Sequence, residues 1–287
     1  MGTASPTSGP AGSTPLVPTW LDDQTAPSAL PVVDGPDSAA PTSSEPPQPT
    51  IEQAGSPSPV PDRFRSPRSN FSRFAKSGGR DRASLGRALS TYVRDSSGGA
   101  RTAARRMRPA AAAGARLLGF LTDTAAHGST EALRRFNLQT LAGQPIAVVF
   151  ASMVDFICGD GGATDEAIAR DAFIETAAAL AEIGVTDLDL LTLEQVAAAF
   201  ECFVAHTIED RILNDIGTRA IQLPASNGMV ERIQQQLRDF LAGAVHDAIV
   251  QIVPDLANLD PRQVGASVQQ IYEASFELIV TLAETLR

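Results

Sequence analysis

Apolar positions recur every four residues along much of the second half of this chain, and that spacing predicts helices. Between 193 and 215, Val196, Phe200, Val204, Ile208 and Ile212 define one stripe that must be buried. Val230, Ile233, Leu237, Leu241, Val245, Ile249 and Ile252 do the same over 228–252. Val264, Val268, Ile271, Leu278 and Leu282 mark a last helix over 261–285. Further helices are predicted over 130–141, 145–157 and 165–183. Start signals support them: Thr192 with Gln195 three residues on is a capping box, in which each side chain satisfies an orphan N–H. Asp260, Pro261 and Gln263 combine a cap, a proline at the first helical position and a box partner. Upstream, Leu85, Leu89 and Val93, with Ala88 and Tyr92 beside them, predict a helix over 81–94 that Ser96-Ser97-Gly98-Gly99 ends. Another begins at Ala100 and is interrupted at Pro109 before an Ala-rich run and the apolar residues of 117–121. No self-similar period appears, so the expected fold is an all-α bundle rather than a repeat array.

The first 61 residues show neither helical nor strand periodicity. They are rich in Pro, Ser, Thr and Ala, with too little apolar surface to offset the backbone entropy lost on ordering, and are expected to be a disordered tail. Pro46-Pro47-Gln48-Pro49 is expected to be locally extended. Yet the tail holds the chain's only tryptophan, Trp20. A lone Trp among prolines reads as a handle for a partner, and Met1-Gly2-Thr3 through Trp20 as a recognition peptide. The division expected is a tail over 1–61, a basic helical segment over 62–116 and an all-α domain over 117–287.

Charge sharpens that division. Residues 1–60 carry six acids and no Lys or Arg; residues 61–116 carry fourteen cations against three acids; residues 117–287 carry nine Arg against twenty-four acids. A basic band therefore lies between two acidic regions, within a net charge of −10. At its start, Arg63, Arg65, Arg68, Arg73 and Lys76 interleave with Phe64, Phe71 and Phe74, and Arg105 and Arg106 follow further on. Two readings stand. Cations can neutralise phosphates while aromatics stack on bases, a single-strand nucleic-acid pattern. Alternatively the band docks on the chain's own acidic helices, with the phenylalanines as anchors. Gly78-Gly79 and Gly98-Gly99 lack the spacing of a phosphate loop and read as turns.

Little else points to chemistry. Cys202, His206 and Asp210 align on one helix face at four-residue spacing, where a thiol beside an imidazole could serve as nucleophile or metal ligand. The same face carries Glu194, Ala198 and Asn214, so an ordinary solvated face is expected instead. Two cysteines, Cys158 and Cys202, are too few for a disulfide framework or a Cys-rich zinc module. The glycine and acid run over 159–166 is explained by a helix end, a cap at Thr164 and acids in the next first turn. Neither enzymatic activity, nor a bound metal, nor a cofactor is expected. The most apolar run, 145–158, contains Asp155 and is too short to span a membrane. With Pro6 where myristoylation needs Ser or Thr, lipidation of Gly2 is not expected. No charged-then-apolar leader is seen, and a cytoplasmic protein without membrane contact is expected.

The N-terminal part resembles a known family. Met1-Gly2-Thr3, then Pro15-Leu16-Val17-Pro18-x-Trp20, Arg63-Phe64-Arg65, Phe74-Ala75-Lys76-Ser77-Gly78, Leu85-Gly86-Arg87-Ala88-Leu89, Tyr92-Val93-Arg94 and Gly98-Gly99-Ala100 leading to Arg105-Arg106 resemble the B component of the bacterial Qat anti-phage defence systems. The resemblance covers about the first 110 residues; the helices beyond are compatible but carry no diagnostic motif. It implies a protein without a catalytic site of its own, acting with an ATPase, a QueC-like enzyme and a TatD-like nuclease. It also implies that the α-amine of Gly2, exposed once Met1 is removed, accepts a 7-deazaguanine from the QueC-like enzyme. Thr3, Pro15, Leu16, Val17, Pro18 and Trp20 would then contact that partner.

Overall fold

The computed structural model describes residues 62–159, 162, 164–217, 226–253 and 262–287. The tail, with Gly2, Thr3, Pro15, Leu16, Val17, Pro18 and Trp20, lies outside the described residues, as do Asp260 and Pro261. Ten α-helices and no strand are found among the described residues. They are α1 (Arg65–Lys76), α2 (Arg82–Thr91), α3 (Ala100–Arg106), α4 (Arg108–His127), α5 (Ser129–Arg134), α6 (Ile146–Cys158), α7 (Thr164–Glu182), α8 (Leu193–Ile216), α9 (Asn227–Ile252) and α10 (Val264–Thr285). The all-α expectation holds.

Two long helices organise the packing. α10 lies against α9, α2, α3 and α4, while α8 lies against α7, α9 and α4. The α8 stripe is where its spacing placed it, with Val196, Phe200, Val204, Ile208 and Ile212 all buried. Phe203, Ala199 and Thr207 are buried as well, so α8 is covered around most of its circumference. Both halves of the Thr192–Gln195 capping box form: the Gln195 N–H donates to Thr192 Oγ1, and the Thr192 N–H donates to Gln195 Oε1. α2 crosses α10 closely. A Cβ at Gly86 would sit 2.3 Å from the Ala283 carbonyl oxygen, so only glycine permits that approach.

Within the basic helical segment expected over 62–116, residues 65–76 form α1, because Pro67, Phe71, Phe74 and Ala75 make an apolar stripe that buries. Three sequence expectations shift. The helix expected over 81–94 ends at Thr91 and continues as a wider turn over Tyr92–Ser96. This turn keeps Tyr92, Val93 and Ser96 buried. The helix expected over 130–141 stops at Arg134; Asn137 turns left-handed, with φ 58°, and a 3₁₀ turn follows at Gln139–Leu141. Phe136 thereby contacts Phe120 and Phe156 edge-on. The last helix begins at Val264 rather than 261, with Gln263 making no side-chain cap. Pro109 acts as foreseen: the chain breaks at Met107 and restarts with proline in the first turn of α4.

Candidate functional site

The fold sorts the basic band into cations that tie the protein together and cations that do not. Arg68 donates through Nε to the Ile216 carbonyl, 2.5 Å away at the C-terminal end of α8, and pairs with Asp62 at 2.5 Å. The Arg68 hydrogen bond holds the exposed Asp62 carboxyl below its ordinary value. Arg94 pairs with Glu284 at 2.5 Å and Arg101 with Glu273 at 2.9 Å, both on α10. Arg106 reaches Asp215 on α8 at 3.3 Å. The same Asp215 carboxylate accepts from Tyr92 Oη at 2.9 Å and from Arg211 Nε at 3.3 Å, and Arg211 also pairs with Asp165 on α7. Burial first, and Asp215 second, push the Tyr92 phenol above its ordinary value. Tyr92, Asp215 and Arg211 escaped the sequence reading as a group. Its only trace was that a basic band and an acidic domain share one chain.

The aromatic half of the band is internal. Phe71 and Phe74 are buried in the core, and Phe64, half-buried, stacks on Tyr92 with ring centroids 5.9 Å apart. Their faces are therefore occupied by protein. Arg63, Arg65, Arg73, Lys76 and Arg105 are exposed, whereas Arg68 and Arg106 are drawn into the ion pairs above.

Cys202, His206 and Asp210 do share one side of α8, but that side is not the solvated face expected from sequence. α9 lies alongside, and Cys202 and His206 line a groove of about 270 Å³ with Glu209, Gln235 and Arg238. Burial raises the Cys202 thiol to about 11 and lowers the His206 imidazole, opposite to the shifts that would make a thiolate–imidazolium pair. Burial also raises Asp210 to about 6 and Glu209 to about 7. Cys158 is buried and raised to about 12. Among the described residues, no group of three or more His, Cys, Asp or Glu is placed to hold a metal ion. Both thiols should therefore react with a disulfide reagent at pH 8 at least about a hundredfold more slowly than free cysteine, and at the ordinary rate in denaturant. Fast labelling of Cys202 in the folded protein would restore it as a nucleophile.

No helix among the described residues is long and apolar enough to cross a membrane. A family model described as Qat anti-phage system associated protein QatB matches residues 98–279, from the start of α3 to near the end of α10. The motifs that carried the N-terminal resemblance overlap it only from Gly98 to Arg106; the match rests instead on helices in which no diagnostic motif was visible. No curated protein and no solved structure matches the chain.

Proposed function

Since the chain belongs to the QatB family of Qat anti-phage system components, we propose that it is the non-enzymatic scaffold of that multi-protein system and also a protein substrate within it. In this reading the helical body presents a leader whose Gly2 α-amine receives a 7-deazaguanine from a QueC-like partner. An ATPase and a TatD-like nuclease complete the assembly in the cytoplasm. The family match is the observation that carries the proposal. The scaffold role draws support from the way converging charged groups in the body are spent on holding helices together, as around Asp215.

Amine chemistry favours the N-terminus as acceptor. An α-amino group has a pKa near ~8 and keeps a neutral fraction at neutral pH, whereas a lysine amine at ~10.4 is almost wholly protonated. The chain has a single lysine, Lys76, so few other amines compete. Gly2 has no side chain to obstruct approach, and Pro15 and Pro18 lower the entropy lost when Leu16, Val17 and Trp20 dock.

Intact mass of the protein produced together with its QueC-like partner tests the modification. The expected result is an N-terminal peptide, beginning at Gly2, that is heavier by the joined deazaguanine. An unmodified peptide under those conditions removes the substrate role and leaves the scaffold role alone.

A further inference from the structure

Some of the cations left over from the internal pairing gather at one place. Arg63, Arg65 and Arg73 line one groove of about 410 Å³ at the start of α1, together with Ser66, Ser69 and Asn70. Asp62 also lines it, but its carboxylate is engaged by Arg68. Lys76 continues the Arg65–Ser69–Arg73 face of the helix, one further turn along. Arg63, Arg65, Arg73 and Lys76 form no ion pair among the described residues. Their positions are fixed from behind. The opposite side of α1 buries Phe71, Phe74 and Ala75, and the Arg63 carbonyl accepts from Ser96 Oγ at 2.6 Å. The Arg63 guanidinium rests over the Phe64 ring, 4.8 Å from its centroid.

We propose that this face of α1 binds the phosphodiester backbone of a nucleic-acid duplex. Charge complementarity identifies an anionic occupant, and the lining says which kind. Every side chain of the groove is polar, with no apolar pocket into which a protein partner could seat an anchor, the feature that gives protein interfaces their affinity. Guanidinium forks and hydroxyls are donors that contact phosphate and sugar. Arg65 to Lys76 spans about 16 Å of helix, along which a duplex presents one charge every ~1.7 Å. A duplex is favoured over a single strand because Phe71 and Phe74 are inside the core and Phe64 is held between the Tyr92 ring and the Arg63 guanidinium, so none of the three rings is offered to bases. The inference does not depend on Gly2, and either can fail without the other.

The test is fluorescence anisotropy of a labelled 20-base-pair DNA duplex with the full chain. Binding is expected at 50 mM NaCl and should weaken about a hundredfold by 200 mM, the slope for roughly four phosphate contacts. R65Q/R73Q should bind at least about tenfold more weakly, with the salt slope reduced by about 2, while R65K/R73K keeps most of the affinity. An RNA duplex binding equally supports backbone recognition. The proposal is overturned if the duplex is ignored at 50 mM NaCl or if R65Q/R73Q binds as the parent does. It also falls if the single strand binds much more tightly than the duplex, or if a polyglutamate peptide binds where the duplex does not, which would point to an acidic protein partner. Circular dichroism of both variants should show unchanged helix, since the substituted side chains are exposed.

Discussion

Asp215→Ala is expected to lower the unfolding free energy by about 3–5 kcal/mol, the range for removing one member of a buried ionic network. The Asp215 side chain is 9% exposed, and its carboxylate is the common acceptor for Tyr92, Arg106 and Arg211. With the carboxylate gone, the Tyr92 hydroxyl loses its acceptor, and Arg211, at 11% exposure, keeps only Asp165. The loss would act on three elements at once: the turn after α2, α3 and α8. Asp215→Asn retains an acceptor for Tyr92 but no charge for the two arginines, and should fall between alanine and the parent. Arg101→Ala is the contrast. Its pair with Glu273 is 72% exposed on the arginine side, where an ion pair contributes less than about 1 kcal/mol. Denaturant unfolding of the three variants measures this directly. If Asp215→Ala unfolds within 1 kcal/mol of the parent, the basic segment is held to the acidic helices by its apolar contacts and not by this network.

What could be read in advance, and what could not, follows from the range of each interaction. α8 was legible because its stripe repeats within one helix and its capping box spans four residues; nothing distant was needed. α1 carried an equally local signal in Phe64, Pro67, Phe71 and Phe74, spaced three, four and three apart. The segment is expected to be helical, but the arginines between them point to nucleic acid or to the acidic helices, and no helix is delimited over 62–80. Asp215 is different in kind. Its partners lie 123 residues away at Tyr92 and 109 away at Arg106, and no spacing rule links them. Opposite charge in the two regions foretold that pairing would occur, not which acid would serve three donors. The side of α8 bearing Cys202, His206 and Asp210 looked solvated because Glu194 and Asn214 flank it. The crossing of α9 covers its middle and leaves its ends open, a tertiary fact.

That covered middle carries a second large effect, on pH dependence. Glu209 is 6% exposed, and its nearest cation, Arg238 Nε, stands 4.0 Å away, too far for a hydrogen bond. That buried Nε finds no hydrogen-bond partner either. Burial dominates both shifts. The Asp210 charge and Glu175 on α7 add to it at Glu209, while Asp171 and Glu175 add to it at Asp210, and Arg238 opposes at both. With folded values of about 7 and about 6, against ordinary values of 4.5 and 3.8, the native protein takes up protons between pH 8 and 5 that the unfolded chain does not. Stability therefore rises as pH falls through that window and drops as the two groups ionise above it. One shifted group at about 1.36 kcal/mol per unit would give about 3 kcal/mol; because the two carboxylates repel each other, the pair gives less than twice that. His206 works against the trend, since its lowered value means the unfolded chain takes up that proton first. It is one group against two. His246, raised by its hydrogen bond to Glu201, works with them. Melting temperature should thus be higher at pH 5 than at pH 8, and E209Q/D210N should flatten the profile and melt later than the parent at pH 8. A parent profile that is flat or inverted between those values, or one the double variant leaves unchanged, would show that solvent reaches this part of α8 more freely than the packing of α7 and α9 around it implies.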